Sequence, residues 1–231
     1  MRIVGVSSPG AGELVNLAVQ HGQNPHQELW RRGFVINSLL SARMADDEVV
    51  LTVQVSRRTH SSRPPRIKHR GADPNLLVAP DEVPVLNQRI AAYAIIRSPR
   101  GVLGCECSDK TAVPGLWQLP GGGLMPGELP HEGLMREVAE ETGQEVHINR
   151  LIDLQSDHWV GRAPNGVLED FHALRIIYTA TCANPTTPTV IDVDGTTARA
   201  AWIPLRQWRA LPWTSGSRSL LDKHLIHVPP Q

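Results

Sequence analysis

A chain of 231 residues, 41% of them hydrophobic, can hold one large domain or a domain of about 150 residues with an extension, and either can bury a real core. Its 23 basic and 23 acidic side chains cancel, so no global field argues for nucleic acid or a membrane surface, and any basic patch must be local. Three cysteines without zinc or paired spacing suit a reducing cytoplasm better than a disulfide framework; no secretory leader is legible and no apolar run approaches the roughly 18 residues of a membrane span, so the chain reads as soluble and cytoplasmic, with no membrane partner.

Met1 to Gly12 looks like a strand entering a glycine-rich phosphate loop, but it lacks the Lys-Ser/Thr pair that would hold phosphate and metal, and an ordinary turn is the better reading. Glu13 to Gln20 then reads as helix-like. Phe34 to Leu40 and Val49 to Val55 favour strands, and Ala45-Asp46-Asp47-Glu48 between them suits a hairpin that could join a neighbouring sheet or a second subunit in a homodimer. Arg57 to Arg70 carries six Lys/Arg residues and no acid around Pro64-Pro65. A phosphate-rich partner could sit there, but no aromatics interleave for base stacking, which favours a solvated basic linker. Prolines continue to Pro84, placing a boundary near residue 85: an N-terminal extension over 1–85 and a second domain over 86–231.

Arg89 to Arg97 and Gly101 to Cys107 read as strands joined by the turn Ser98-Pro99-Arg100-Gly101, with Cys105 and Cys107 on one strand face. The most informative stretch follows, from Leu119 to Gln144. Glycines and prolines up to Gly127 allow close backbone approach, and Pro130 to Thr142 reads as a helix with proline in its first turn and Gly143 as its stop. At 100° per residue Glu137, Glu140 and Glu141 share an arc of roughly 100°, whereas Leu134, Met135, Val138 and Ala139 occupy another. Three crowded carboxylates repel one another unless cations sit between them, and oxygen-only ligands select Mg²⁺ or Mn²⁺ over Zn²⁺.

Beyond the helix, Glu145 to Leu154 reads as a return strand, Asp157 to Asp170 as a long loop, and Phe171 to Cys182 as a strand. A proline-bearing connection runs from Asn184 to Asp194, Ala200 to Leu205 is a short strand, and Ser215 or Ser217 caps a last helix through Ile226. Strands mixed with one central and one terminal helix predict an α/β fold with a mixed sheet between helices.

The spacing Gly122, five residues, Glu128, seven residues, Arg136-Glu137-Val138-Ala139-Glu140-Glu141-Thr142-Gly143 resembles the box of the Nudix hydrolase family. Gln144 is the one departure, standing where the family usually places an aliphatic residue. The resemblance covers about Asn87 to Val228 and implies the α/β/α Nudix sandwich. It implies metal-dependent hydrolysis of a pyrophosphate bond in a nucleoside diphosphate derivative: ADP-ribose, a nucleotide sugar or a nucleoside triphosphate. Glu137, Glu140 and Glu141 would ligate Mg²⁺ or Mn²⁺ with the Gly121 carbonyl, Glu128 would assist through water, and Arg136 would orient the first helix glutamate. Glu137 or Glu140 would remove the proton from the attacking water. The distant carboxylate that some members use is missing, since Ala198, Arg199 and Ala200 fill its usual positions, and Asp194 is the expected helper. Trp159 and Phe171 are candidates to stack on a base, as are Tyr178 and Trp202, while Arg162, His172 and His158 could reach substrate oxygens. A nucleotide-sensing module without catalysis is the competing class, but no box carboxylate is missing; another is an RNA-end pyrophosphohydrolase using residues 57–70.

Overall fold

The structure, a computed structural model, describes residues 1–67, 71–72, 76–193 and 195–225. In chain order its elements are β1 (Arg2–Val6), β2 (Glu13–Ala18), α1 (Pro25–Arg31), β3 (Phe34–Ala45), β4 (Glu48–Arg57), β5 (Gly71–Ala72), β6 (Val85–Ser98), β7 (Gly101–Cys107), β8 (Trp117–Gln118), β9 (Gly121–Gly123), α2 (Pro130–Thr142), β10 (His147–Arg162), β11 (Leu168–Thr181), β12 (Thr197–Ile203) and α3 (Ser215–His224). A single 3₁₀ turn, Trp208–Ala210, precedes α3. The fold is α/β with mixed sheets: one four-stranded sheet in the order β2-β1-β4-β3 and one eight-stranded sheet in the order β12-β7-β6-β11-β10-β5, with β8 on β7 and β9 on β6. Among the described residues, no helix is long and apolar enough to cross a membrane.

The chain divides into two compact units. The first comprises Met1–Ile90, Met125–Pro130 and Asp153–Arg175. Its four-stranded sheet pairs β1 in parallel with β4 and antiparallel with β2, while β3 and β4 form the expected hairpin. Asp46 and Asp47 turn that hairpin with φ of 50° and 56°, the left-handed pair that a two-residue turn needs to match strand twist. Residues 13–18 are a strand and not the helix-like segment that their composition suggests. Leu17 is buried opposite Ile3, and Val15 fills the space left by Gly5, where a Cβ would stand 2.5 Å from Val15 Cγ1. Six residues cannot sustain a helix alone, so pairing with β1 decides. The helix of this unit lies further on: Asn24 caps α1 by accepting from the backbone N–H groups of His26 and Gln27, and Pro25 takes the first helical position. Asn24-Pro25 with Glu28 in the first turn was its available sequence signal.

The expected loop Asp157–Asp170 is instead the tip of a long hairpin. β10 runs to Arg162 and β11 starts at Leu168, leaving only 163–167 to turn, where Ala163 N–H donates to the Val167 carbonyl at 2.9 Å and Gly166 adopts φ 84°. Pro164-Asn165-Gly166 was the turn signal, overshadowed by the polar residues of the strands beside it. Residues 68–70, inside the basic segment, lie outside the described residues.

The second unit comprises Ala91–Leu124, His131–Ile152 and Ile176–Gln231. Its core gathers Ile95, Val102, Trp117, Leu119, Ile177 and Ile203 with Trp208, Trp213, Leu220, Leu221 and Leu225. The C-terminal segment is fixed by pairing: Trp117 N–H donates to the Pro212 carbonyl at 2.9 Å, and Thr214 N–H to the Trp117 carbonyl at 2.7 Å. Thr214 caps α3, its hydroxyl accepting from Ser217 N–H, where Ser215 or Ser217 was expected. Ser217 is diverted, because its hydroxyl accepts from Leu119 N–H at 3.1 Å and so ties α3 to the approach of the glycine loop.

Candidate active site

The helix α2 follows its sequence signals to the residue. Proline begins it and Gly143, at φ 64°, ends it, with Gly143 N–H donating to the Ala139 carbonyl at 2.9 Å. Leu134 and Val138 are fully buried, but Met135 and Ala139, expected on the same packed arc, are exposed, and Glu141 of the acidic arc is buried: the buried face of the helix is centred between Leu134, Val138 and Glu141.

Arg136 organises the acidic arc. Its guanidinium donates from one nitrogen to Glu137 at 3.0 Å and Glu140 at 3.1 Å, and from the other to the Gly123 carbonyl at 3.1 Å. Two carboxylates therefore meet at one nitrogen, anchored to β9 by a planar fork that a lysine could not reproduce. The Glu137 side chain is 17% exposed and that of Glu140 41%, so Glu140 is the more open to solvent.

Glu141 faces inward. It accepts from Thr197 Oγ1 at 2.6 Å on one oxygen, and from Gly121 N–H at 2.9 Å and the Cys105 thiol at 3.7 Å on the other. Burial nevertheless pushes its carboxyl up to about 7, against the opposing pull of the Thr197 and Gly121 donors, and the neighbouring Glu137 charge adds to the rise. Burial also raises the Cys105 thiol, with Glu141 beside it, so this cysteine is a protonated donor.

The glycines are explained by contact. A Cβ on Gly122 would lie 2.4 Å from the Glu137 carboxyl carbon, and one on Gly121 would lie 2.2 Å from the Ala92 carbonyl oxygen, across the β6–β9 pairing. Gly122 is bare because Glu137 lies over it. Gly127, at φ 75°, follows Pro126 in a turn closed by Glu128 N–H donating to the Met125 carbonyl at 3.1 Å. Glu128 also accepts from Met125 N–H at 2.8 Å, so its carboxylate locks its own turn.

The connection 183–193 is docked on the end of α2, a feature that sequence reading missed. Thr189 N–H donates to the Thr142 carbonyl at 3.0 Å, and Ile191 and Asp192 N–H both donate to the Glu140 carbonyl, at 2.8 and 3.1 Å. These donors satisfy carbonyls that a helix end leaves open. Gln144 completes the joint: it is buried, its amide donates to Thr186 Oγ1 at 2.7 Å, and its carbonyl oxygen accepts from Thr186 N–H at 3.0 Å. A polar residue there exchanges ordinary packing for a fastening. Trp202 serves the same loop, donating from its indole to the Thr186 carbonyl at 3.0 Å, while Tyr178 is buried. Asp194 lies outside the described residues.

The remaining candidates belong to the first unit. Trp159 and Phe171 stack on each other, ring centroids 4.6 Å apart. Arg162 makes two bonds of 2.8 Å to Glu82 and also donates to the Leu77 and Gly166 carbonyls. His172 is fully buried, with Nε2 3.0 Å from Ser156 and Nδ1 accepting from Gly22 N–H at 3.1 Å, so its nitrogens are spent inside the protein.

A family model for the NUDIX domain matches residues 87–224. The chain belongs to the Nudix hydrolase family. Among curated proteins, this Nudix hydrolase is 32% identical over 102 residues to the nucleoside triphosphatase NudI of Enterobacter sp. (strain 638), covering 43% of this chain and 72% of the relative. It is 31% identical over the same length to that of Salmonella schwarzengrund (strain CVM19633), with the same coverage. The solved MutT NUDIX hydrolase of Burkholderia pseudomallei matches at 26% identity and a TM-score of 0.45, over 60% of this chain and 98% of its own, a likeness too loose to add to the family match. The chain is accordingly an enzyme of the pyrophosphohydrolase class.

Proposed function

We propose that this Nudix enzyme hydrolyses a pyrophosphate bond of a nucleoside triphosphate with the help of Mg²⁺ or Mn²⁺. The observation that carries the reading is the convergence of Glu137 and Glu140 on Arg136 beside the glycine strand, with Glu141 beneath. The triphosphate among the family's substrates is favoured by the relatives named nucleoside triphosphatase.

The residues present fit a hard divalent cation. Glu137, Glu140 and Glu141 and the Gly121 carbonyl offer oxygen only, the donor set that a hard divalent cation takes. Glu141 would take part from the buried side, since a carboxylate oxygen can accept a hydrogen bond and still ligate. A divalent ion held there supplies neutralisation of phosphate oxygens and a more acidic water. The chain's own residues do the rest. Arg136 fixes the rotamers of Glu137 and Glu140, Gly122 leaves room for Glu137, and Glu140 takes the proton of the attacking water, being the more exposed of the pair. Asp194 assists in that proton transfer.

The test is a product-release assay of the full chain on nucleoside triphosphates, ADP-ribose and nucleotide sugars, each with Mg²⁺ or Mn²⁺. Turnover greatest on triphosphates and abolished by chelation is expected. Preferred cleavage of ADP-ribose or a nucleotide sugar would overturn the substrate assignment, and full activity in chelator would overturn the metal.

A further inference from the structure

Three histidines converge in the first unit, none with a part in the box. His21 stands in the turn between β2 and α1, His158 lies on β10, and Asp170 and His172 lie two apart on β11 and so share a strand face. One ligating atom each of His21, His158 and Asp170 lies within 4.8 Å of the other two. His21 Nε2 is 3.1 Å from Asp170 Oδ1, and His158 Nε2 contacts that same oxygen. The His21 and His158 rings meet edge to face with centroids 5.3 Å apart.

A network built for hydrogen bonding alone accounts poorly for this arrangement. Two imidazoles meet at one carboxylate oxygen, and His21 Nδ1 is buried with no hydrogen-bond partner among the described residues. Buried ring nitrogens are ordinarily satisfied. The surroundings are arranged to bring the ligands together. Gly22, at φ 74°, lets the turn close on His158, for a Cβ there would lie 2.9 Å from His158 Cε1. Its N–H donates to His172 Nδ1, and His172 packs 5.7 Å from the centroids of both other rings.

We propose that His21, His158 and Asp170 form a transition-metal site for Zn²⁺, distinct in donor chemistry from the all-oxygen box. Two imidazoles and a carboxylate suit a borderline first-row cation and are a poor set for Mg²⁺ or Ca²⁺. Three protein ligands leave a coordination position for water. The ion joins the turn after β2 to the hairpin of β10 and β11, two segments far apart in sequence, and stabilises the first unit by holding them together.

Chelator-stripped full-length protein, given Zn²⁺ in a large excess of Mg²⁺ and desalted, tests this directly. One zinc per chain is expected to remain, and the wild-type imidazole ¹⁵N resonances of His21 and His158 should shift on its addition. His21→Gln and His158→Gln should each weaken zinc binding by on the order of 10²-fold or more, whereas Glu140→Gln should leave it unchanged. Absence of retained zinc, equal retention by both histidine variants, or loss of zinc with Glu140→Gln would each overturn the proposal. The resonance shift needs no variant, so a misfolded substitution does not remove the test.

Discussion

Glu137, Glu140 and Glu141 are neighbours on one helix, yet their surroundings give them different work. Glu140 is the most open of the three and shares Arg136 with Glu137. Glu140→Gln should lower turnover by on the order of 10³ at saturating Mg²⁺ with circular dichroism and melting temperature unchanged, since it removes charge that matters only with cation and substrate present; near-native turnover would remove Glu140 from the site. Glu141 has a stability consequence. Its carboxyl moves from 4.5 to about 7 on folding, so its contribution is fully present below 4.5 and is lost as pH rises to about 7, by about 3 kcal/mol in all. His172 acts in the opposite sense: burial, with the His158 and His21 charges beside it, lowers it from 6.5 to about 4, so its contribution is present above 6.5 and lost as pH falls through about 4. The two partly cancel, and the wild-type profile conceals both. In divalent-free buffer, the stability of Glu141→Gln relative to wild type should therefore improve as pH is raised from about 4.5 to about 7.5, measured by urea unfolding at each pH. A constant difference would show that the Glu141 carboxyl titrates at its ordinary value.

At the scale of elements, α2 is held to the connection 183–193 by backbone hydrogen bonds and to β9 by the side chains of Arg136 and Glu141, so small changes at the joints should be felt in catalysis. Gly122→Ala would drive a Cβ to 2.4 Å from the Glu137 carboxyl carbon. The carboxylate must move, and turnover should fall by on the order of 10² with little change in melting temperature; unaltered kinetics would show that the placement of Glu137 is not critical. The docked connection bears on the proton transfer as well. Ile191 and Asp192 are fastened to the Glu140 carbonyl, which brings that loop to the end of the acidic helix. Asp194→Asn should nevertheless cost less than ~30-fold in turnover, because a helper carboxylate contributes less than the ~10² to 10⁴ of a principal base. A larger loss with metal affinity unchanged would move the base from the helix to the loop.

For the molecule as a whole, the question is what the first 85 residues do. The family match begins at residue 87, and we propose 86–231 as the catalytic portion with 1–85 as an extension. The extension is nonetheless bonded to hairpin residues of the same unit: His21 to Asp170, His26 to the Leu154 carbonyl at 3.0 Å, and Gly22 to the fully buried His172. Removing it would expose these polar groups without their partners. A fragment spanning 86–231 should keep α2 and measurable hydrolysis but melt at least ~5 °C below the full chain, as loss of a few buried hydrogen bonds predicts. An equal melting temperature would show that the extension is energetically separate, and an inactive, unfolded fragment would show that the catalytic portion includes it.

By itself the sequence determined the box helix to the residue, the strands β6, β7 and β12 within a few positions, the β3–β4 hairpin, and the chemical character of the acidic face. These rest on local causes: proline and glycine at helix ends, a two-residue aspartate turn, and a periodicity that puts Leu134 and Val138 on one side of the helix and Glu137 and Glu140 on another. Tertiary structure decided the rest. Residues 13–18 became a strand because β1 was there to pair with them, and the polar residues 157–162 became a strand inside a long hairpin. Glu141 turned inward because Thr197, 56 residues away, offered a hydroxyl. The gathering of His21 with His158 and Asp170 had no sequence signal, since an isolated histidine 137 positions from the next ligand carries no spacing to read. Contacts of that range are made by topology, which periodicity does not encode.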